Sequence, residues 1–274
     1  MTLRLLGGIA LGIAAACMAS CSKAPDAPPQ TPSSLRVFAA SSLLGVMREM
    51  EAAYESQHPG INLEFSFAGS NQLRTQLEQG ARADVYLSAD RRNMDAAAAS
   101  KVVSLSTIAT IAFNRLAVIV PRENRQKLSS LADIARPGLK ILVADKAVPA
   151  GSYALKMLEQ ARAAADLGET FVKGVEANIV SREENVAGVV AKVALGEADA
   201  GFAYASDAAG PNKEKLTVLT IPDALSPRAE YVGAVVATST QVEEARGFLM
   251  FVVSERGGEI LVKGGFESPR AEQR

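Results

Sequence analysis

Five short segments carry small and hydroxyl residues that could bind an anion. They are VFAASSLL (37–44), FAGSNQL (67–73), VPAGSYA (148–154), ENVAGVV (184–190) and GFAYASDA (201–208). Four of them place these residues just after a β-like apolar run, at the start of a helix-like pattern. A helix N-terminus has unpaired backbone N–H groups and a partial positive charge, so it binds anions without a formal cation. Several such termini, with serine hydroxyls and one tyrosine, would make an uncharged cage for a small oxyanion.

Each of these residues also has a simpler interpretation. Ser42 and Ser70 lie at strand-to-helix turns, where serine is a favoured N-cap, and Tyr204 ends an apolar run as a core tyrosine would. The same strand-to-helix turn occurs four times, since Ala150 and Val186 lie at the start of a third and a fourth helix. This repetition favours a binding site over separate capping roles. All these turns follow predicted strands, and ligands of open α/β sheets lie outside the carboxyl ends of the strands.

Other chemistries have little support in the sequence. Asp84, Asp90 and Asp199 flank strands without a metal-ligand spacing, and we expect them to be caps and turn residues. A serine hydrolase would need the single histidine, His58, as its base, and no GxSxG motif is present. Walker A, dinucleotide and zinc motifs are also missing. We therefore expect a protein that is not an enzyme and has no cofactor.

Charge is balanced at 29 basic and 30 acidic residues, which gives no reason to expect a nucleic acid or an anionic membrane surface as a partner. The N-terminus, in contrast, predicts export. Arg4 precedes an apolar stretch, residues 5–18, that is too short to span a bilayer and is typical of a secretory signal. We expect a periplasmic or cell-surface protein.

The segment Met18-Ala19-Ser20-Cys21 is similar to a lipobox, although Met18 stands where Leu or Val is usual. This predicts a lipoprotein signal peptide at 1–20 and a lipidated Cys21; ordinary cleavage, leaving Cys21 as a stray thiol, is the alternative. The Pro- and Ser-rich stretch that follows cannot bury apolar surface, so residues 21–34 are expected to be a flexible linker. The lipid anchor would be the only attachment to the membrane.

From residue 35 onward, β-like runs alternate with helical stretches, which predicts an α/β fold built from βαβ units. Two long apolar runs, at 110–120 and 229–237, could each pass between two lobes. Lobe 1 would then contain residues 35–113 and 231–272, and lobe 2 residues 114–230. Two connections would permit hinge closure over a ligand in the cleft.

In order and spacing, the five segments resemble the periplasmic molybdate-binding proteins of ABC transporters. The resemblance covers 35–266 and includes QLEQGARADVYLSADRRNMD (76–95), which is similar to the family's GAPADVFISAD region. Arg82 and Asn71 depart from the family pattern, and Asn71 leaves the ion preference open. The resemblance implies a two-lobed periplasmic binding protein fold of type II, each lobe a mixed sheet flanked by helices, with the ligand in the cleft.

The resemblance also implies the binding residues and the function. Ser42 and Ser70 would donate hydroxyl and backbone N–H groups, Ala150 and Val186 backbone N–H groups, and Tyr204 its phenolic hydroxyl. The chain would be a monomer that captures molybdate, and also tungstate, and delivers it to an ABC permease in the inner membrane. The metal would be bound as the oxyanion, without direct metal ligands.

Three alternatives stay open at this point. One is a binder of sulfate or another tetrahedral oxyanion, one is an anchored hydrolase using Ser42 or Ser70, and one is a ligand-sensing domain of a regulator. A dianion has only acceptors and suits a cage made only of donors, whereas protonated phosphate needs an acceptor. Molybdate and sulfate share charge and shape, so the size of the cavity must separate them.

Overall fold

Strands and helices alternate along most of the chain in the computed structural model, which describes residues 33–209 and 212–269. The strands are β1 Ser33–Ala40, β2 Ile61–Ala68, β3 Val85–Ser88, β4 Ala109–Pro121, β5 Ile141–Ala144, β6 Ile179–Glu183, β7 Ala200–Tyr204, β8 Leu216–Leu219 and β9 Arg228–Val235. The helices are α1 Leu44–Gln57, α2 Ser70–Glu78, α3 Arg91–Ala99, α4 Pro149–Ala163, α5 Gly168–Asn178, α6 Val186–Ala194, α7 Val242–Val252 and α8 Glu255–Lys263. The predicted α/β class is confirmed.

The sheet is mixed, with strand order β2-β1-β3-β9-β4-β7-β5-β6 and β8 paired to β4. β1 runs parallel to β2 and β3, and β5 runs parallel to β6 and β7. These parallel groups are the βαβ units that the alternating pattern predicts. β4 and β9 are antiparallel to their neighbours and join the two parallel groups.

The long strand β4 changes partners along its length. Its residues 109–115 pair with β9, whereas residues 116–121 pair with β7 and β8. The predicted lobe boundary between residues 113 and 114 falls close to this change of partner. The division into lobes itself stays a prediction.

Helices cover both faces of each part of the sheet. α1, α7 and α8 bury their apolar faces in one large core, together with α6 on the β5–β7 part. α2 and α3 pack on the opposite face of β1, β3 and β9. α4 and α5 form a further core against β4, β5 and β7. β1, β3, β5 and β7 are thus largely buried, whereas the edge strands β2 and β6 are only partly buried. A helix or a 3₁₀ turn follows each of these strands at its carboxyl end.

The two ends of the strand order come close together. Gly69 follows β2 and Glu184 follows β6, yet a Cβ atom added to Gly69 would lie 3.0 Å from the carbonyl oxygen of Glu184. Arg92 on α3 also donates from Nη2 to the carbonyl of Ala147, just before α4, at 3.2 Å. The sheet therefore curls so that the turns after β1, β2, β5 and β6 surround a common space.

At the N-terminal side, β1 begins at Ser33, two residues before the predicted start of lobe 1 at residue 35, and Ser33 pairs with Ile61. The predicted signal peptide at 1–20 and the predicted lipidation site Cys21 lie outside the described residues. Within residues 33–209 and 212–269, no helix has the length and apolar character needed to cross a membrane.

Candidate functional site

The five residues predicted to bind an anion line one small cavity. Its full lining is Ala40, Ser41, Ser42, Ala68, Gly69, Ser70, Ala89, Val148, Pro149, Ala150, Val186 and Tyr204. These residues come from the turns after β1, β2, β3, β5 and β6 and from the end of β7. The fold thus brings together residues that are far apart in the sequence.

Neither Ser42 nor Ser70 caps its helix through its side chain. Ser42 lies inside the 3₁₀ turn Ser41–Leu43, and its Oγ is 2.8 Å from the hydroxyl oxygen of Tyr231. Ser70 is the first residue of α2, after the N-cap Gly69, and its Oγ accepts a hydrogen bond from the backbone N–H of Ala89 at 3.0 Å. The capping interpretation therefore does not account for these two hydroxyls. The bond from Ala89 leaves the Ser70 hydroxyl proton available to a ligand.

Tyr204 has a buried hydroxyl without a hydrogen-bond partner in the structure. Its side chain is almost completely buried, and the ring makes edge contacts with Tyr153 and Tyr231. Burial, with smaller contributions from Tyr231 and Tyr153, raises the pKa of Tyr204 well above its ordinary value. A buried polar group normally has a partner, so a protonated hydroxyl that lacks one is prepared for a bound acceptor.

Two helices direct backbone N–H groups at the same cavity. α4 begins with Pro149, whose missing N–H costs nothing at the first helical position, so Ala150 offers the first free N–H of the helix. A Cβ at Gly151 would collide with the carbonyl oxygens of Ala144 and Asp145, so only glycine lets α4 start this close to β5. The glycine therefore fixes where the Ala150 N–H lies.

α6 is arranged in a similar way. The side chain of its N-cap, Asn185, accepts from the backbone N–H of Gly188 at 3.1 Å. The N–H of Val186, at the first helical position, has no acceptor within the helix. The N-cap side chain thus accepts a hydrogen bond from one N–H group of the first turn, that of Gly188, and leaves the Val186 N–H free to face the cavity.

No charged side chain is among the lining residues, all of which lie in the described part of the chain. The positive potential at this point comes from helix N-termini and hydroxyl dipoles rather than from Lys or Arg. Asp207 lies behind Tyr204 and accepts from its backbone N–H at 2.8 Å. Burial raises the pKa of Asp207 to about 7, against the effect of that hydrogen bond, which lowers it.

The two serines have no base as a hydrogen-bond partner. The partners of the two serines are a tyrosine hydroxyl and a backbone N–H, and neither is a base that could activate a nucleophile. His58 instead stacks on Tyr54, and its Nδ1 contacts the carbonyl of Tyr54 at 2.9 Å. Among the described residues, no group of three or more His, Cys, Asp or Glu could hold a metal ion.

The aspartates flanking strands have the structural roles that the sequence predicts. Asp90 is the N-cap of α3 and accepts from the backbone N–H of Asn93. Asp84 accepts from the N–H of Arg36 and from the hydroxyl of Ser239, and Asp199 accepts from the N–H of Lys140. These carboxylates are satisfied by the protein.

Comparison with known proteins identifies the family of the chain. The family model for bacterial extracellular solute-binding proteins matches residues 35–267. The chain belongs to this family. It is 36% identical over 258 residues to the molybdate-binding protein ModA of Mycobacterium tuberculosis, covering 94% of each chain. Members of the family bind solutes rather than catalyse reactions, and they are extracellular, so the prediction of an exported binding protein is confirmed.

Two solved structures show the same fold. The substrate-binding domain of a putative molybdenum ABC transporter from Clostridium difficile has a TM-score of 0.64 at 27% identity, covering 86% of this chain and 98% of that one. The sulfate-binding protein SubI of M. tuberculosis has a TM-score of 0.76 at 17% identity, and the match covers 86% of this chain and 87% of that one. The predicted periplasmic binding protein fold of type II is therefore confirmed.

Sequence reasoning did not find three residues that contact the binding groups. Tyr231 is bonded to Ser42, Ala89 to Ser70, and Asp207 to Tyr204. Ala89 contributes only its backbone, so its residue type carries no signal. Tyr231 lies on β9, where an aromatic residue is an ordinary part of a buried strand, and only the tertiary fold brings its hydroxyl to Ser42.

Proposed function

We propose that this protein captures molybdate, and also tungstate, outside the cytoplasm and delivers it to an ABC permease in the inner membrane. The observation that carries the proposal is the small uncharged cavity in which Ser42, Ser70, Ala150, Val186 and Tyr204 meet. The names of the relatives at 36% and 30% identity support molybdate as the ion.

The donor set explains why such a dianion would be held. Three side-chain hydroxyls and the N–H groups of two helices can all donate, and no lining residue carries a carboxylate that could accept. Hydrogen bonds to an ionised acceptor are worth about 1.5–3 kcal/mol each, more than neutral ones. A phosphate that keeps a proton would need one of these hydroxyls to accept that proton, and the hydroxyl would then be lost as a donor to the ion.

Binding would bring the two predicted lobes together. Ser42 and Ser70 belong to lobe 1, whereas Ala150, Val186 and Tyr204 belong to lobe 2. The contacts of Gly69 with Glu184 and of Arg92 with Ala147 would form in the closed state, because each joins groups from opposite parts of the strand order. β4 and β9, which connect the two parts of the sheet, would act as the hinge.

A titration of four oxyanions tests the function. Molybdate, tungstate, sulfate and phosphate are added separately to the purified protein, and affinity is measured by calorimetry alongside the melting temperature. We expect molybdate and tungstate to bind most tightly and to raise the melting temperature most, because a ligand of the folded state stabilises it. Sulfate should bind more weakly and phosphate most weakly.

A matched pair of variants links the result to the cavity. Ser70→Ala should weaken molybdate binding, whereas Ser66→Ala, which changes an exposed serine on β2, should not. Phosphate binding as tight as that of molybdate, or the lack of any stabilising oxyanion, would overturn the proposed function.

For the N-terminus, we propose that the mature protein is anchored through a lipidated Cys21. The lipobox-like segment and the Pro-rich stretch after it support this proposal. Mass spectrometry of the mature N-terminus should show an acylated cysteine, and an unmodified chain that starts elsewhere would exclude the anchor.

A further inference from the structure

A chain of buried hydrogen bonds runs behind the cavity and ends on Ser42. The Oγ of Ser42 is 2.8 Å from the hydroxyl oxygen of Tyr231 on β9. The side chain of Asn114 on β4 also faces the Tyr231 hydroxyl, and its polar interaction with that hydroxyl opposes the rise in the pKa of Tyr231 that burial causes. Asn114 in turn donates from Nδ2 to the Oγ of Ser206 at 2.7 Å. Tyr231 and Asn114 are both fully buried.

The orientation of the Asn114 amide is fixed by the backbone. Its Oδ1 accepts from the N–H of Arg115 at 2.9 Å, so the other end of the amide must be the NH₂ group. An NH₂ group has two protons and can only donate. One proton goes to Ser206, and the second is available for the phenolic oxygen of Tyr231.

This orientation determines which way the remaining protons point. Tyr231 has a single hydroxyl proton, and with the Asn114 NH₂ group directed at its oxygen, that proton is free to be donated to Ser42. The Oγ of Ser42 then accepts, and no other hydrogen-bond partner of this hydroxyl exists in the described residues. Its own proton is left for the cavity.

We propose that Tyr231, oriented by Asn114, is a positioning residue that turns the Ser42 hydroxyl into a donor to the bound oxyanion. The proposal rests on the proposed function. Without Tyr231, the Ser42 proton could rotate away from the ligand, and an oxygen lone pair could face the anion instead.

Three further observations support the proposal. Ser70 has the same arrangement by a different route, because its Oγ accepts from the N–H of Ala89 and its proton is likewise left over. The ring of Tyr231 is held by edge contacts with Tyr204 and Phe266, at centroid distances of 5.9 and 5.2 Å. Burial raises the pKa of Tyr231 well above its ordinary value, so the hydroxyl keeps the proton that it must donate.

A double-mutant cycle between Tyr231 and Ser42 tests the proposal. Molybdate affinity is measured by calorimetry for the wild type, Tyr231→Phe, Ser42→Ala and the double variant. Tyr231→Phe should weaken binding roughly threefold to tenfold, the value of one neutral hydrogen bond. In the Ser42→Ala background the same change should alter affinity by about twofold or less, because no hydroxyl remains to be oriented.

The control is Tyr54→Phe, which removes the hydroxyl of another buried tyrosine in the core and should leave affinity unchanged. Asn114→Ala gives a second route, because it removes the donor to Tyr231 and should show the same dependence on Ser42. If Tyr231→Phe does not fold, the dependence of Asn114→Ala on the Ser42 hydroxyl tests the positioning role instead.

The outcomes separate the two proposals. If wild-type protein does not bind molybdate, the proposed function fails. If wild-type protein binds but Tyr231→Phe binds equally well, or loses the same factor with and without the Ser42 hydroxyl, the positioning role is wrong. A loss that disappears in Ser42→Ala is the result that supports it.

Discussion

The hydroxyl of Tyr204, which has no hydrogen-bond partner, leads to a prediction about two quantities. Its removal should lower the affinity for the ligand but should not lower the stability of the protein. In the structure this hydroxyl is buried without a hydrogen-bond partner among the described residues, so this conformation carries its desolvation cost. In the complex, the same hydroxyl would donate to a charged oxygen. Tyr204→Phe should therefore weaken binding without weakening the free protein.

The magnitudes follow from the two environments. Loss of a hydrogen bond to a charged group costs about 1.5–3 kcal/mol, which is roughly a tenfold to hundredfold loss of molybdate affinity. Removal of an unsatisfied buried hydroxyl relieves about 1–3 kcal/mol in the free protein. The ring and its contacts with Tyr153 and Tyr231 are kept. The ligand-free melting temperature should accordingly be equal to or above that of the wild type.

Calorimetry gives the affinity, and thermal melts without ligand give the stability. Tyr86→Phe is the matched comparison, because the hydroxyl of Tyr86 is equally buried but donates to the carbonyl of Ser70 at 2.9 Å. That variant should lose stability. If Tyr204→Phe binds molybdate as tightly as the wild type does, or loses as much stability as Tyr86→Phe, the reasoning about the unpartnered hydroxyl is refuted.

Three further predictions concern the same site. Ser42→Ala and Ser70→Ala should each reduce molybdate affinity roughly tenfold to a hundredfold with the protein still folded, and unchanged calorimetric affinities would contradict this. Gly151→Ala should displace the start of α4 and abolish most binding, since its Cβ would collide with two carbonyl oxygens of the β5 turn; a variant that melts and binds like the wild type would show that α4 can shift freely. Burial raises the pKa of Asp207 from 3.8 to about 7, so the folded state binds this proton more tightly and the resulting stability is lost as the pH rises through about 7. Asp207→Asn should therefore lose less stability than the wild type between about pH 4 and pH 7, and parallel melting curves would argue against a proton held on Asp207.

The alternation of strands and helices could be predicted because most strands are buried on both faces. β5 and β7 consist of continuous apolar residues, and the helical stretches between them are long enough to be distinguished from strands. The sequence of β6 is a weaker indication of a strand. It pairs only with β5, at the end of the strand order, and its residues alternate between half-buried and exposed. An edge strand of this kind has little apolar periodicity to detect.

The candidate site could be predicted where its residues occupy the same kind of position in the sequence. Ser42, Ser70, Ala150 and Val186 all come soon after a strand, in the turn or the first helical residues, where the sequence itself indicates unpaired N–H groups. Asn114 and Tyr231 are interior residues of strands and have no such context. Their roles depend on which strands become neighbours, and that information is not contained in any one segment.

The lack of charged side chains around the cavity has a consequence for how the protein responds to its surroundings. A site built from Lys or Arg holds small counterions that an incoming anion must displace, so its affinity falls as the salt concentration rises. A lining of hydroxyls and backbone N–H groups holds no such counterions. Outside the cytoplasm, where the ionic strength follows that of the medium, capture through this cavity would depend on the concentration of the solute itself and hardly on the background salt.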